Sequence, residues 1–225
     1  MEKFAFTGEI PYINLLESLS EESLRTVVRA AQEQLLDKNA IIYDRGAEAD
    51  RVYIVKKGRV KIFSYDEEGK EVLRNLIHAG EIFGESALFG DGCRRDNAAA
   101  MDEQTLLLEI MADDATRILH ERPDFGFKVT MQISEKLRCA EKRIEALTFQ
   151  NSRTRIIEFL KESARKQGRK VGFETLLRPF LTHQDIGSLT TTSRQTVSSV
   201  LNELKGSNKI YYDRHRLLIR DMAGL

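Results

Sequence analysis

Apolar residues change their spacing along the chain and so divide it into segments of different secondary structure. Over residues 12–36 they recur at helical spacing, which predicts one or more helices with Ser20 as a cap. The predicted apolar face consists of Leu24, Val27, Val28 and Leu35. Over residues 40–110 they fall instead in short β-rich runs separated by glycines. Closely spaced short strands with glycine turns predict a small antiparallel barrel or roll, in which a ligand cavity would lie.

Residues 123–150 form a long segment whose apolar residues predict a narrower helical stripe than that of a helix lying on a core. Its apolar positions alternate four and three residues apart, at Ile133, Leu137, Ala140, Ile144 and Leu147. This spacing is typical of a coiled-coil seam, and two such helices from two chains would form a homodimer. The alternative is a helix packed on the barrel of its own chain, because two heptads are fewer than a firm coiled-coil pattern needs.

Residues 182–205 predict two short helices joined by a three-residue turn. Thr182 can cap the first helix with Asp185 at the acidic third position, and Thr192 or Ser193 can cap the second. Gln195 occupies the position of a capping-box partner for the second helix. The inward positions of the two helices are Ile186, Leu189, Val197, Val200, Leu201 and Leu204.

The second of these helices has a polar outer face at its start. The side chains left there are Arg194, Gln195, Ser198 and Ser199. Arginine pairs with guanine and glutamine with adenine in the DNA major groove, and a second helix that exposes its first turn is the docking element of a helix-turn-helix. The alternative is a helix pair whose polar face is only solvated.

Segments on both sides complete the C-terminal part. A hinge is predicted at residues 149–153, followed by a helix over residues 154–167 and a short β segment over residues 168–180. Residues 209–219 predict a hairpin whose tip contains Arg214, and such a wing often contacts backbone phosphate.

Charge separates the two halves of the chain. The formal net charge is zero, with 35 Lys/Arg and 35 Asp/Glu, but residues 151–225 hold 14 and 7 of these, a net charge of +7. The remaining 21 and 28 give residues 1–150 a net charge of −7. A protein that binds phosphates needs such a basic region, whereas a helix pair that only packs does not, so DNA binding is the favoured interpretation.

Composition and sequence argue against a membrane-spanning protein and a secreted one. With 41% hydrophobic and 31% charged residues over 225 positions, the chain is typical of a globular protein, and no apolar run is long enough to cross a bilayer. The first ten residues resemble neither a signal peptide nor a transit sequence, which predicts a cytoplasmic protein.

Two other function classes compete with DNA binding. An enzyme built on the roll would need a catalytic or metal cluster, but the histidines are scattered and predict neither. They are His78, His120, His183 and His215. A sensor whose C-terminal module binds protein conflicts with the +7 charge of that module.

The order of these parts and two segments resemble the cyclic-AMP receptor and fumarate-nitrate regulator family of bacterial transcription regulators. The segments are GEIFGESALFGDGCRRDNAAA over residues 80–100 and SRQTVSSVL from Ser193. The resemblance implies an α+β chain: an N-terminal antiparallel β-roll (a double-stranded β-helix like those that bind cyclic nucleotides), a long dimerisation helix and a C-terminal winged helix-turn-helix. It implies an effector-sensing domain over residues 1–122, the dimerisation helix over 123–150 and the DNA-binding domain over 151–225.

The resemblance also implies partners and a mechanism. The partners are double-stranded DNA, a second copy of the chain, RNA polymerase and a small-molecule effector, and no membrane and no enzymatic activity are expected. The effector acts in the roll, against the long helix, and reorients the DNA-binding domains.

The effector pocket is assigned through this resemblance. Cyclic-nucleotide readers of the family hold the ribose with a Gly-Glu pair, matched by Gly84 and Glu85, and the cyclic phosphate with an arginine, matched by Arg95. Asp96 replaces the Ser or Thr that follows this arginine, and a carboxylate there would repel phosphate and pair with Arg94 or Arg95. The adenine-contacting Thr-Ser pair aligns with Ala140 and Glu141. The full predicted pocket is Gly84, Glu85, Ser86, Arg94, Arg95, Asp96, Asn97, Ala140 and Glu141.

These departures argue against cyclic AMP and leave the effector open. The alternatives are a cyclic nucleotide, another anion that reaches Arg94 and Arg95, or haem bound by His78 or His120. A fourth alternative is that the protein has no effector. Cys93 and Cys139 are too few for the cysteine cluster of oxygen-sensing members. Cys93 could sense oxidants as a thiolate beside two arginines, or be an inert loop thiol.

DNA reading follows the resemblance more closely. Ser193, Arg194, Thr196 and Val197 match the family's recognition helix, whereas Gln195 replaces a common Glu and Ser199 a common Arg. Glutamine prefers adenine, so the half-site should differ from that of the cyclic-AMP receptor. Thr191 stands where glycine is frequent, which predicts a strained or altered turn. The predicted DNA-binding residues are Thr182, Ser193, Arg194, Gln195, Ser198, Ser199 and Arg214.

Overall fold

A computed structural model describes residues 14–90, 92–222 and 224–225 of the chain. The ten N-terminal residues of the targeting prediction lie outside the described residues, as do Tyr12 and Ile13 of the first predicted helical segment. The chain forms two compact units that divide between Cys139 and Ala140. No described helix is long and apolar enough to cross a bilayer.

The first unit contains two four-stranded antiparallel sheets, as the glycine-punctuated β pattern predicts. One has the strand order β1-β8-β3-β6 and the other the order β2-β7-β4-β5. The strands are β1 Gln32–Leu36, β2 Ile41–Tyr43, β3 Arg51–Lys57, β4 Arg59–Tyr65, β5 Glu71–His78, β6 Ile82–Phe83, β7 Asn97–Ala100 and β8 Thr105–Met111. A short 3₁₀ helix, Glu85–Phe89, connects β6 to the loop before β7.

The described residues of this unit also form, wholly or in part, the α-helices α1 Glu21–Ala30, α2 Ala112–Glu121 and α3 Pro123–Phe149. The hydroxyl of Ser20 caps α1 by accepting from the amide of Ser23 at 3.2 Å, as predicted. Asp124 at the start of α3 accepts from both serine hydroxyls, at 2.9 and 2.6 Å, and these hydrogen bonds, that of Ser23 first, lower the pKa of Asp124 to about 2. α3 extends over nearly the whole predicted segment.

Strand β3 lies between two hydrophobic clusters. Its residues Val52 and Ile54 pack towards the helices with Val27, Ile118 and Phe125. Its alternate residues, Tyr53 and Val55, pack with Val60, Phe83 and Leu107 in the second cluster. Because both faces are covered, β3 has a nearly continuous apolar sequence.

The helical prediction for residues 12–36 is wrong on both sides of α1, because residues 15–18 form turns before it and residues 32–36 form a strand after it. Helix α1 stops at Ala30, and residues 32–36 form β1, which pairs antiparallel with β8 so that Gln34 faces Leu107. Leu35, assigned to the apolar face of the helix, is 66% exposed, while Leu36 is buried. Pairing with a neighbouring strand overrides the local helix preference of this segment.

The second unit is a winged helix-turn-helix built on helix α4, Ser152–Gln167. Helices α5, His183–Thr190, and α6, Arg194–Gly206, follow, with a sheet of order β11-β12-β10-β9. Its strands are β9 Arg169–Val171, β10 Glu174–Leu177, β11 Ile210–Tyr212 and β12 Leu217–Ile219. The core contains the predicted inward residues Ile186, Val197, Val200, Leu201 and Leu204, with Ile156, Ile157 and Leu160 of α4. Leu189, the remaining predicted inward residue, is half-buried.

Candidate functional site

Side-chain caps fix the beginning of each helix in the helix-turn-helix. The Thr182 hydroxyl accepts from the amide of Asp185 at 3.1 Å, and the Asp185 carboxylate accepts from the amide of Thr182 at 3.2 Å, a reciprocal capping box. The Ser193 hydroxyl accepts from the amide of Thr196 at 3.0 Å and begins α6. Because Ser193 rather than Thr192 is the cap, the third helical position is Thr196, and the capping role predicted for Gln195 is wrong.

The turn between α5 and α6 is compact. Thr191 has φ 53° and ψ 52°, the left-handed conformation that glycine adopts most readily, as its departure from the family pattern predicted. The hydroxyl of Thr190 donates to the carbonyl of Ile186 at 2.7 Å and contacts the hydroxyl of Thr192 at 2.9 Å. A Cβ at Gly187 would lie 2.8 Å from the carbonyl oxygen of Thr192. The backbone of α5 at Gly187 therefore packs directly against the backbone of the turn that leads into α6.

The outer face of α6 largely matches the predicted reading face. Arg194, Gln195 and Ser199 are exposed. Ser198 is only partly exposed: its hydroxyl donates to the carbonyl of Arg194 at 3.0 Å and lies 2.7 Å from Nδ1 of His183. Burial, with a smaller effect of Arg194, lowers the pKa of His183. Sequence reasoning missed His183 because its contact depends on the crossing of two helices.

The wing is the β11–β12 hairpin, as the sequence predicts. At its tip the Asp213 carboxylate accepts from the amides of His215 and Arg216 at 2.9 and 3.1 Å and from the Arg216 guanidinium at 2.8 Å. These hydrogen bonds lower the pKa of Asp213. Arg214 is exposed at the same tip. The tip thus presents a cation on a fixed turn.

Arg94 is a buried, charged residue of the predicted effector loop in the first unit. It is only 3% exposed, and its guanidinium donates to the carbonyls of Gly84 at 3.1 Å and Arg51 at 2.6 Å. It lies 4.5 Å from the ring centre of Tyr43 and 5.6 Å from that of Tyr53. Its Nε has no hydrogen-bond partner among the described residues. Arg94 thus occupies the roll interior beside the predicted Gly-Glu turn.

Aromatic rings surround this guanidinium. Tyr53 and Phe83 stack with ring centres 5.0 Å apart, and Tyr43 lies 5.8 Å from Tyr53. Burial raises the pKa of Tyr43, against the opposing effect of Arg94. The two tyrosines were not predicted, because nothing in their local sequence distinguishes them from other strand residues.

The other predicted residues of the loop differ in exposure. Arg95 is exposed, Ser86 is half-buried, and Asn97 is buried with its side chain bonded to the amide of Arg45 and the carbonyl of Phe63. The carboxylate of Asp96 pairs with Arg74 of β5 at 3.2 Å. Of the two predicted partners of Asp96, Arg94 and Arg95, Arg94 donates to carbonyl oxygens instead.

Glu85 is linked to the long helix. Its carboxylate accepts from the ammonium of Lys136 at 2.8 Å, and Lys136 also donates to the carbonyl of Ile82 at 2.6 Å. Lys136 lies on α3, one residue before the predicted seam position Leu137. This contact was not predicted, since the sequence spacing of α3 marks only its apolar positions.

The predicted seam and the remaining pocket residues lie along α3. Leu137, Ile144 and Leu147 are 60%, 66% and 44% exposed, and Ala140 is exposed too. Ile133 is half-buried against the core of the first unit. Glu141 is exposed and, like Ala140, belongs to the second unit, whereas Gly84 and Arg94 belong to the first.

The described residues include no group of three or more His, Cys, Asp or Glu side chains able to hold a metal ion. Cys93 is exposed, and Cys139 is half-buried.

Two family models match the chain. Residues 33–122 match the model of the cyclic nucleotide-binding domain, and residues 154–225 match the Crp-like helix-turn-helix domain. The cyclic AMP receptor protein of Thermus thermophilus is 28% identical over 209 residues, 93% of this chain and 93% of that protein. The cAMP-activated global transcriptional regulator CRP of Haemophilus influenzae is 28% identical over 174 residues, 77% of each chain.

Solved structures have the same fold. A double mutant of CooA from Carboxydothermus hydrogenoformans has a TM-score of 0.78 and 29% identity, covering 96% of this chain and 94% of that one. The c-di-GMP responsive global regulator CLP of Xanthomonas campestris has a TM-score of 0.76 and 18% identity, covering 90% and 100%, and shows the fold alone.

Proposed function

Because the chain belongs to the CRP/FNR family of transcription regulators, which join a DNA-binding helix-turn-helix to an effector-binding domain, we propose that it acts as a homodimer on paired half-sites and responds to an effector other than cyclic AMP. The proposed domains are residues 1–122 for sensing, 123–150 for dimerisation and 151–225 for DNA binding. RNA polymerase is the proposed further partner, and the cytoplasm the proposed compartment.

The reading surface of α6 is the observation that carries the proposal. Arg194 and Gln195 stand exposed in the first turn of a capped helix that follows a tight turn, in the more basic half of the chain. Arginine binds the O6 and N7 atoms of guanine, and glutamine the N6 and N7 atoms of adenine. Thr182, Ser193, Ser198, Ser199 and Arg214 are the proposed remaining contacts, in which hydroxyls and cations hold the phosphates.

Dimerisation is supported by the apolar stripe on α3. Leu137, Ile144 and Leu147 are large apolar side chains exposed on one chain at coiled-coil spacing, with the small Ala140 between the first two. Exposed apolar positions that repeat in this manner favour a second helix of the same kind as their partner. Two chains would then present two α6 helices to half-sites about one DNA turn (roughly 34–36 Å) apart.

The effector proposal rests on the contacts in the roll. A cyclic phosphate beside Asp96 would be repelled by the Asp96 carboxylate. Arg74 is already paired with that carboxylate. The guanidinium nearest the Gly84 turn is that of Arg94, which is bound to two carbonyls and stacked on Tyr43. The effectors named for relatives of this fold also differ, cyclic AMP for one and c-di-GMP for another.

A regulator without a small effector is the second candidate. Arg94 packs on Tyr43 and Tyr53, and Tyr53 stacks on Phe83, beside the predicted ribose-binding turn. In this case the abundance of the protein alone would set the occupancy of its operators. A cyclic-nucleotide-responsive regulator is the third, and it would require Arg94 and Asp96 to rearrange.

Selection from a randomised duplex library, followed by footprinting and sedimentation, tests the proposal. We expect enriched duplexes with two half-sites, affinity that falls steeply with salt, and a dimer in solution. Ile144→Glu should give a monomer that loses paired-site binding, whereas Glu145→Gln, next to it but off the seam, should remain dimeric. Wild-type protein that enriches no sequence, or binds independently of salt, would contradict operator binding.

The effector is tested separately. Mass spectrometry of whatever co-purifies with the protein, together with titration of cyclic AMP, should reveal a bound compound other than cyclic AMP. Tight binding of cyclic AMP that raises operator affinity would favour the third candidate, and an empty protein with full operator affinity the second.

A further inference from the structure

The C-terminal end of α5 is capped by arginines from two other helices. The last carbonyls of a helix have no partner within it and carry partial negative charge, so cations are favourable there. Arg155 of α4 donates from Nε to the carbonyl of Thr190 at 3.0 Å and from Nη2 to that of Thr191 at 3.1 Å. Arg143 of α3 donates from Nη2 to the carbonyl of Ser188 at 3.0 Å.

The same Arg155 guanidinium holds the segment between α3 and α4. Its Nη1 donates to the carbonyl of Gln150 at 2.7 Å, and its Nη2 lies 3.4 Å from the hydroxyl of Ser152. One planar group thus joins the interhelical segment to the turn of the helix-turn-helix. A lysine could not replace it, because an ammonium lacks the rigid fork of donors that reaches several carbonyls at once.

The turn needs such support. Thr191 adopts the left-handed conformation, which glycine takes up readily and which is strained for a β-branched residue. The carbonyl of Thr191 itself accepts from Arg155, so the guanidinium holds the strained residue directly. The reading residue Arg194 follows three positions later, at the start of α6, so a relaxed turn would displace it.

We propose that Arg155 is a positioning residue for DNA reading: it stabilises the left-handed Thr191 and thereby fixes the first turn of α6 relative to the α3–α4 segment. The inference rests on the proposed operator binding, but its effect on the turn can be measured without DNA. It explains how this chain keeps a helix-turn-helix geometry with threonine at a position that favours glycine.

The test compares Arg155→Lys with Arg153→Lys, both on α4. Arg153 is the matched control because it is exposed and bonded to Glu203 of α6 at 2.7 Å, without contacting the turn. Arg155→Lys should lower affinity for the duplex selected by the wild type by about tenfold, since it loses charge-assisted hydrogen bonds. Arg153→Lys should bind within about twofold of wild type, as expected for an exposed ion pair.

Rescue distinguishes positioning from general destabilisation. Thr191→Gly removes the strain that Arg155 offsets, so adding it to Arg155→Lys should recover most of the lost affinity. All proteins are compared at a temperature at which circular dichroism shows them folded. A double variant no better than Arg155→Lys would overturn the inference, because the loss would then not pass through Thr191.

Hydrogen exchange of peptides covering residues 187–197 provides the readout without DNA. The amide of Thr192 donates to the carbonyl of Gly187 at 2.8 Å, so this segment should exchange faster in Arg155→Lys and return towards wild type in the double variant. Unchanged exchange with unchanged affinity would sink the role of Arg155. Wild-type protein that binds no duplex would instead refute the proposed function and leave the exchange result to decide on Arg155.

Discussion

Arg194 is the side chain whose removal should affect sequence preference most specifically. It is exposed in the first turn of α6, in the position from which a guanidinium reaches a guanine edge. Arg194→Ala should weaken binding to the selected duplex by about 1–3 kcal/mol and relax one base position. Affinities for duplexes with each base changed in turn provide the measurement.

Arg214 provides the control for this prediction. It is exposed at the wing tip, where we expect a phosphate contact. Arg214→Ala should therefore weaken binding to all duplexes alike and reduce the salt dependence. If Arg194→Ala gives the same uniform loss, Arg194 contacts only phosphate.

His183 should make the second unit sensitive to acid. Its folded-state pKa lies below the ordinary value of about 6.5, first because of burial and then because of Arg194. As the pH falls, the unfolded chain therefore takes up a proton on His183 before the folded chain does. The contribution of neutral His183 to the free energy of unfolding is complete above pH about 6.5 and is lost as the pH falls towards the folded-state pKa. Urea unfolding at several pH values should show a loss that is smaller in His183→Gln.

His215→Gln is the matched control, because His215 is exposed at the wing tip. It should retain the wild-type dependence of unfolding free energy on pH. An identical pH dependence in His183→Gln and wild type would show that another group titrates.

Local interactions made some residue roles predictable and long-range contacts hid others. The caps Thr182 and Ser193 were predicted because a hydroxyl and an amide three residues apart meet in any helix start. The burial of Arg94 was not, because its partners Tyr43 of β2 and Arg51 of β3 come from strands that are distant in the sequence. An arginine near a predicted ligand loop also favoured an exposed, anion-binding interpretation.

At the scale of elements, the approach of α5 to α6 depends on a single missing side chain. A Cβ at Gly187 would lie 2.8 Å from the carbonyl oxygen of Thr192 and 3.4 Å from the amide nitrogen of Arg194. Both are backbone atoms that cannot move without displacing the turn. Gly187→Ala should therefore lower the free energy of unfolding by about 1–3 kcal/mol, the usual cost of overpacking.

Gly206→Ala is the control, because a Cβ there would meet no atom within 4 Å and α6 ends at this residue. It should leave the free energy of unfolding unchanged or raise it by up to about 1 kcal/mol, since alanine favours helix. Chemical denaturation of both variants gives the comparison. Equal stabilities of Gly187→Ala and wild type would show that the helices can separate without cost.

Elements with a clear period were predicted and elements without one were not. The β-rich runs and glycine turns of β3, β4 and β5 predicted strands, and the unbroken pattern of α3 predicted its length. The polar segment of β1 was assigned to a helix because its pairing with β8 has no local signal. Strand β7 was missed, since its sequence NAAA has a composition that favours helix and becomes a strand only between β2 and β4.

At the scale of the whole molecule, the two halves could be assigned separately because each carries its own signal. The strand period and glycine turns of residues 40–110 indicated the roll, and the caps, apolar spacing and basic charge of residues 151–225 indicated the DNA-binding unit. The side chains that occupy the roll interior could not be assigned in this manner. Which of Arg94 and Arg95 points inward depends on the register of β7 against β2 and β4, and one residue of shift exchanges the faces.

Communication between the roll and DNA binding should depend on the pair Glu85 and Lys136. The pair ties the predicted effector loop to α3, the helix that continues into the second unit. An effector that binds Glu85 has to displace Lys136, so breaking the pair removes a restraint that the effector would otherwise have to overcome. Lys136→Met, which keeps the aliphatic stem, should therefore change operator affinity although it lies outside the DNA-binding unit.

We expect effector-free Lys136→Met to bind the selected duplex more tightly than wild type by about 5- to 150-fold, the usual range of coupling between sites. Lys61→Met is the control, because Lys61 forms a comparable ion pair with Glu71 at 2.7 Å on the β4–β5 hairpin, away from α3. It should leave affinity unchanged. Fluorescence anisotropy of both variants gives the comparison, and equal affinities for Lys136→Met, Lys61→Met and wild type would show that the roll does not act through this pair.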